Sequence, residues 1–370
     1  MKALIIGGTG PTGPYMIEGL LKRGYDVTIF HRGTHEIDLP KEVEHIHGDP
    51  HFVETLEAAL GSRTFDLVIA AYGRLRYVAQ VMKRRTPRFI ALGGIGVYKG
   101  FVDPGHHPPG GLLVPTPEDA PLISDPEVNC FAHLMVLSEE AVMQAHREGY
   151  YNATIYRLPM VYGARQPIPM EWSVMRRILD GRKYIVIPDG GLSLETRGYA
   201  ENVAYAMLLA VDQPEKSAGQ IYNVGDEKVL SLYEWIVLIT NIMGYSWELV
   251  NMPENLARPS RPYLSYSGKT SHRVMDITKI KRDLGYRDPV PVEEGLRRTV
   301  NWYLEHRPAP GGEVEQRLQD PFDYQAEDRL IEAYKASVDR LLQIPYALEG
   351  RYHPYAHPRE PGKIRDHRQR

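Results

Sequence analysis

The sequence predicts an α/β protein: a doubly wound parallel sheet, then a small α/β C-terminal lobe and a helical C-terminal extension. Three observations carry this. Short apolar runs alternate with stretches of helical period through the first half of the chain. The run Phe65-Asp66-Leu67-Val68-Ile69-Ala70-Ala71 is apolar almost throughout, as expected of a strand covered on both faces. The first run, Lys2 to Ile6, leads through Gly7-Gly8-Thr9-Gly10-Pro11-Thr12-Gly13 straight into a helix. In that setting Gly7 permits the tight turn, Gly10 lets the backbone approach a pyrophosphate, and Gly13 lets the helix pack close to the strand, with phosphates at the helix N-terminus. Pro14 falls in the first turn, where a missing N–H costs nothing.

The remaining elements follow in order. Tyr15 to Arg23 reads as an amphipathic helix closed by Gly24, and Asp26 to Phe30 as the second strand. An acidic residue after that strand would hold the ribose hydroxyls of NAD; the chain offers His31-Arg32-Gly33 instead. Arg32 is placed to meet the 2′-phosphate of NADP, so NADP(H) is expected over NAD(H). Val43 to His47 is a strand ended by Gly48-Asp49-Pro50, Phe52 to Leu60 a helix, Tyr77 to Arg85 a helix, and Arg88 to Leu92 a strand. Prolines and glycines then break all periodicity from Gly100 to Pro126, as in an irregular loop over the carboxyl edge of the sheet. Further helices are expected over Phe131 to Arg147, Glu171 to Asp180 and Glu201 to Val211, and strands over Ala153 to Leu158, Lys183 to Ile187 and Gln220 to Val224. Ser231 should cap a helix reaching Met243, Asp276 one from Ile277 to Leu284, and Pro291 precedes one through Tyr303. After Pro308-Ala309-Pro310-Gly311-Gly312 comes a linker-like break, then a helix from Tyr324 to Leu342 and a basic, apolar-poor tail.

Composition narrows the function classes. A formal net charge of -3 over 370 residues, with both signs interspersed, gives no electrostatic footprint for nucleic acid. Cys130 is the single cysteine, so no internal disulfide forms, which fits a reducing compartment. The first strand begins without a basic leader, and no apolar run is long enough to span a bilayer, so a soluble cytoplasmic protein is expected.

Several motifs together resemble a known family. Besides the glycine turn they are Gly48-Asp49, Arg88-Phe89-Ile90 running into Val97-Tyr98, Pro117 to Leu122, Arg157-Leu158-Pro159 with Val161-Tyr162-Gly163, Gly198 to Ala204, and Tyr222 to Gly225. Over roughly residues 1 to 305 the chain resembles the extended short-chain dehydrogenase/reductases of the NAD-dependent epimerase/dehydratase type. The resemblance implies a Rossmann-type NAD(P)-binding domain over 1–165, with contributions from about 190–225, a substrate lobe over 166–305, and an extension over 306–370. It implies that Asp49 touches the adenine, that the stretch from Ala70 and Ala71 to Gly73 lines the nicotinamide end, and that a homodimer forms through the long helices.

The family's chemistry rests on a serine or threonine, a tyrosine and a lysine, the last two spaced Tyr-x-x-x-Lys. A tyrosine with a pKa of about 10 is a poor base at neutral pH until a nearby ammonium lowers it. The resemblance puts Gly94 at the hydroxyl position, Phe131 at the tyrosine and Met135 at the lysine, four places before the matching Glu139. No tyrosine in the chain has a lysine four residues on. Tyr98, at the end of a strand, becomes the candidate proton donor. Tyr72, Tyr162, Arg165, Arg197 and Tyr199 are candidate substrate contacts, the arginines suiting an anionic group, with Arg74, His106 and His107 also near the expected pocket. No metal is expected, because the His106-His107 pair lacks an acidic or sulfur ligand at suitable spacing. Three readings stay open: an enzyme using NADP(H) on a small carbonyl, hydroxyl or sugar-nucleotide substrate by a departed mechanism; a non-redox lyase or isomerase on the same scaffold; and a nucleotide-binding sensor or partner subunit without a reaction.

Overall fold

Four apolar residues of β1 (Lys2–Ile6), Ala3 to Ile6, are fully buried, and their alternation sorts the layers of the fold. Ala3 and Ile5 pack with α1 (Gly13–Lys22) and α6 (Ala200–Asp212). Leu4 and Ile6 face the other way, toward α2 (Val53–Leu60), α3 (Leu75–Val81) and α4 (Cys130–Arg147). The computed structural model describes residues 1–102, 112–265, 269–347, 358 and 360–363, and they form two compact units, Met1–Phe322 and Asp323–Arg370.

The sheet completes the expected doubly wound architecture. Beside β1 stand β2 (Asp26–His31) and β3 (Glu44–His47) on one side, and β4 (Leu67–Ala70), β5 (Arg88–Gly94), β6 (Asn152–Leu158) and β11 (Gln220–Asn223) on the other. The order is β11-β6-β5-β4-β1-β2-β3, and every pair is parallel. The chain runs outward from β1 through β2 to β3 and then returns to β4 on the opposite side. That reversal opens a crevice between the connections leaving β1 and β4.

A second core lies in the same unit. Trp172, Trp235, Leu296 and Tyr303 pack where α5 (Met170–Leu179), α7 (Leu232–Ile242) and α9 (Val292–Glu305) meet. Three two-stranded pairs border it: β7 (Met160–Tyr162) with β10 (Arg197–Tyr199), β8 (Tyr184–Pro188) with β13 (Glu248–Met252), and β9 (Leu194–Glu195) with β12 (Leu230–Ser231). Ser231 caps α7 in a full capping box: its Oγ accepts from Glu234 N at 3.2 Å and its N–H donates to the Glu234 carboxylate at 2.8 Å. In the second unit, Asp323 accepts from Ala326 N at 3.0 Å and starts α11 (Tyr324–Leu342) where the sequence puts it.

The seven sheet strands agree with the sequence expectation to within two residues at each end. Three differences have physical causes. α3 starts earlier than expected and ends at Val81, because the chain turns there and Arg84 takes a left-handed φ of 63°. α8 (Thr278–Leu284) begins one residue late, with Asp276 accepting from Thr278 N at 2.8 Å while Ile277 holds the cap position. The linker-like break contains α10 (Glu313–Leu318), too short to show a period; Glu315 fixes it by accepting from Trp172 Nε1 at 3.0 Å and from Arg176 at 2.6 Å. His106, His107 and most of the basic tail lie outside the described residues.

Glu171, in the first turn of α5, is buried, and burial pushes its carboxyl up to about 7 against the weaker pull of its own backbone N–H and Arg197. With the folded value above the unfolded one, its share of stability is complete below an unfolded pKa of about 4.3 and is lost as pH rises through about 7. Urea denaturation across that range should show this fall, on the order of 3 kcal/mol, and Glu171→Gln should remove it.

Candidate functional site

The glycine turn and the first turn of α1 fold against each other. Gly7, at φ 107°, donates from its N–H to Phe30 O at 2.8 Å. A Cβ on Gly13 would fall 1.9 Å from Gly8 O, so the close approach that demands a glycine is to the turn itself rather than to the strand. A Cβ on Gly10 would meet nothing within 4 Å, which leaves that stretch of backbone open to a ligand. These are the features a pyrophosphate cradle at a helix N-terminus needs.

A cleft of about 940 Å³ starts at this turn and reaches α9 and α10. Gly7, Thr9, Gly10, Pro11, Thr12, Gly13, Arg32, Ala71, Tyr72 and Arg165 line it. Arg32, exposed after β2, holds its guanidinium 5.4 Å from the centre of the Tyr72 ring, and His51 meets the same ring edge-on at 5.1 Å. Arg165 adopts φ 63° and lies 5.9 Å from the Trp302 ring. Trp302 stacks at 4.5 Å on His306, the residue that caps α9 one turn further on, and both reach the cleft. Sequence reasoning missed this wall, although the spacing of four residues does put the two rings on one helix face.

At the middle of the cleft, α4 presents Phe131 and Met135 beside Gly94. Asn129 caps the helix by accepting from Ala132 N at 2.8 Å, and so aims its first turns. A Cβ on Gly94 would stand 2.9 Å from Met135 Cε. The methionine thus occupies the space that a side chain at position 94 would need. None of these three side chains carries a proton to transfer.

Other expected site residues lie elsewhere. Ala70 is buried beneath the cleft, and Asp49 accepts from His51 N at 3.0 Å and bonds His51 Nδ1 at 2.6 Å without lining it. The His51 backbone N–H holds the Asp49 carboxyl below its ordinary value. Arg74 lies against Phe52 at 5.3 Å. Tyr162 donates to Asp226 at 2.8 Å, and Tyr199 bonds Tyr15 OH at 3.2 Å. Both rings are buried off the cleft. Burial raises Asp226 to about 6. Arg197 is also buried: it pairs with Glu195 at 2.8 Å and lies over the Trp235 ring at 4.7 Å, while its Nε and Nη1 have no hydrogen-bond partner among the described residues.

Tyr98 is the largest correction. A 3₁₀ turn over Ile95–Val97 rotates it inward, and it is fully buried. Its hydroxyl donates to Asn223 Oδ1 at 2.6 Å and accepts from Arg157 Nη1 at 2.9 Å. Burial raises its pKa, more than Arg157 lowers it. With both sides of the hydroxyl engaged and no access to the cleft, Tyr98 belongs to the scaffold.

Residues 3–225 match the family described as NAD dependent epimerase/dehydratase. The chain is 24% identical over 318 residues to the chloroplast stem-loop binding protein of 41 kDa b of Arabidopsis thaliana, covering 81% of this chain and 78% of that protein. It is 25% identical over 333 residues to the UDP-N-acetyl-alpha-D-glucosaminuronate decarboxylase of Bacillus cytotoxicus, covering 82% of this chain and 98% of that one. Among solved structures, the UDP-glucose 4-epimerase of Thermotoga maritima, crystallised with UDP-glucose, shares the fold with a TM-score of 0.67 at 21% identity, covering 83% of this chain and 99% of that one.

A scaffold role makes Tyr98→Phe a stability mutant. It should cost about 1–3 kcal/mol in urea denaturation, by stranding Asn223 Oδ1 and one of the two Arg157 Nη1 protons, the other staying on Glu118 O, and leave dinucleotide affinity unchanged. Loss of turnover with stability intact would restore Tyr98 to the reaction.

Proposed function

The chain belongs to the NAD-dependent epimerase/dehydratase family, and from that premise we propose that it binds a nicotinamide dinucleotide in the cleft and acts there without a tyrosine–lysine proton relay. The substrate is a small hydroxyl- or carbonyl-bearing compound of the sugar-nucleotide type. One observation carries the binding reading: the glycine turn exposes backbone at Gly10, beside the α1 N-terminus, at the mouth of a cleft of about 940 Å³. Arg32 supports NADP(H) over NAD(H), since an exposed guanidinium at that strand end suits a 2′-phosphate. The substrate class is supported by the decarboxylase and epimerase similar to this chain, whose names specify UDP-sugars. Arg165, over Trp302 at the far end, is a fitting partner for an anionic group on such a substrate.

In this reading 1–165 with about 190–225 holds the dinucleotide, 166–305 forms the substrate lobe and 306–370 the extension. A bound nicotinamide supplies a hydride donor or acceptor. This chain's residues orient and shield: Phe131 and Met135 present apolar surface where the family keeps its tyrosine and lysine, and Gly94 replaces its hydroxyl. Proton transfer then falls to the substrate's own groups or to water. A homodimer through α4, whose Leu134 and Leu137 are exposed, completes the proposal, and the lone Cys130 fits a cytoplasmic setting.

The same three replacements favour a second reading, a dinucleotide-binding sensor or partner subunit that performs no hydride transfer. A nucleic-acid role, which the name of the Arabidopsis relative raises, gains nothing from a formal charge of -3.

Titration of NADPH and NADH into the purified protein tests the site. NADPH should bind more tightly, and Arg32→Ala should weaken it by about tenfold or more while sparing NADH, the worth of a charge-assisted hydrogen bond. Binding of neither overturns both readings. Nicotinamide absorbance changes on adding UDP-sugars support the enzyme, and binding without turnover supports the sensor. Product formed with no dinucleotide present, and unchanged in Arg32→Ala, points instead to a non-redox lyase or isomerase.

A further inference from the structure

Three imidazoles and a carboxylate meet at the open edge of the sheet. β3 pairs with β2 in parallel, Ile29 opposite His45 and His31 opposite His47. With a side-chain period of two, that register puts His31, His45 and His47 on one face. Glu36, from the connection between the two strands, closes over them. His31 Nε2 stands 3.1 Å from His45 Nδ1, and Glu36 carboxylate oxygens lie 3.3 Å from His47 Nε2 and 3.8 Å from His45 Nδ1. One donor atom from each of the four residues lies within 4.8 Å of all the others.

Burial disfavours a charge on His31 more than the nearby Glu36, the one carboxylate among the four, favours it. His31 is 4% exposed, so water does little to hold a charge there. A divalent ion reverses the balance, because it takes neutral imidazoles and a carboxylate as ligands. Three nitrogens and an oxygen form a borderline set suited to zinc, whose tetrahedral bonds of about 2.0–2.1 Å put ligand atoms about 3.4 Å apart. The two closest pairs already stand near that separation. His31 is a buried anchor, and the exposed His45, His47 and Glu36 can turn to complete the shell.

We propose that His31, His45, His47 and Glu36 bind a zinc ion that ties the β2–β3 connection to the sheet edge beside the cleft. Four protein ligands make it a closed, structural site rather than one that activates water. His31 Nδ1 accepts from Gly33 N at 3.2 Å, which leaves the ring proton on Nε2, between His31 and His45. An ion seated between those nitrogens replaces that proton, and the ring proton moves to Nδ1. The Gly33 contact is thereby lost. Gly33 and Thr34 line the dinucleotide cleft, so occupancy of the edge site alters one of its walls.

Titration of zinc into the full chain without nucleotide tests this independently of the dinucleotide reading. Calorimetry with a competing chelator should find one tightly bound ion per chain, with protons released and affinity falling below a pH of about 6.5. Cobalt(II) in its place should give the visible bands of a tetrahedral centre. The double variant His45→Ala/His47→Ala, both at exposed positions, should keep its metal-free melting temperature and lose at least about tenfold in affinity. No stoichiometric uptake, or uptake unchanged in that variant, overturns the site, the latter assigning the ion to other histidines.

Discussion

A buried ion pair between β6 and α4 is the constraint on which the site depends. Arg157 meets Glu139 through Nε and Nη2, the latter at 2.8 Å, and the two residues are 2% and 4% exposed. Nη1 goes on to Tyr98 OH and to Glu118 O at 2.7 Å, while Asn223 bonds Tyr98, Glu118 and Thr116. A single guanidinium therefore links a sheet strand, the longest helix of the first unit, the proline-rich segment and the last strand of the sheet. Removing one partner of such a pair leaves a buried charge uncompensated, which costs more than the pair contributes. The helix is thereby held in one setting, and its first turns carry Phe131 and Met135 to the cleft.

Seen from that pair, the cleft is a rigid floor with a more adaptable rim. The floor is the sheet edge, Gly93, Gly94 and the start of α4. Gly93 has no Cβ for a reason of the same kind: one would stand 2.9 Å from a Glu139 oxygen. The rim comes from Arg32, Tyr72 and Arg165, whose cationic groups rest on aromatic faces rather than in buried pairs. Guanidinium groups that rest on aromatic faces keep hydrogen-bond donors for a ligand.

This division also explains what was legible in the sequence. Strands buried on both faces and the glycine turn announce themselves locally, through composition and spacing, so the sheet and the turn from Gly7 to Gly13 were readable. Which polar residue faces the cleft depends on events of one or two residues that no periodicity records. The 3₁₀ turn at Ile95–Val97 carries Tyr98 from the expected pocket into the interior. The three-residue pairing of β7 with β10 buries Tyr162, Arg197 and Tyr199. Conversely, Trp302 and His306 belong to the wall only because a helix far along the chain returns to it. The histidines at the sheet edge were invisible for the same reason, since His31 joins His45 and His47 only once the register of two strands is known.

The space that Met135 takes beside Gly94 has a consequence for both positions. A serine at 94 would press on the thioether, since even a Cβ there would stand 2.9 Å from Met135 Cε. A shorter side chain at 135 would free that same space. The two positions, far apart in the chain, therefore share one volume, and neither can change in size without the other having to answer for it.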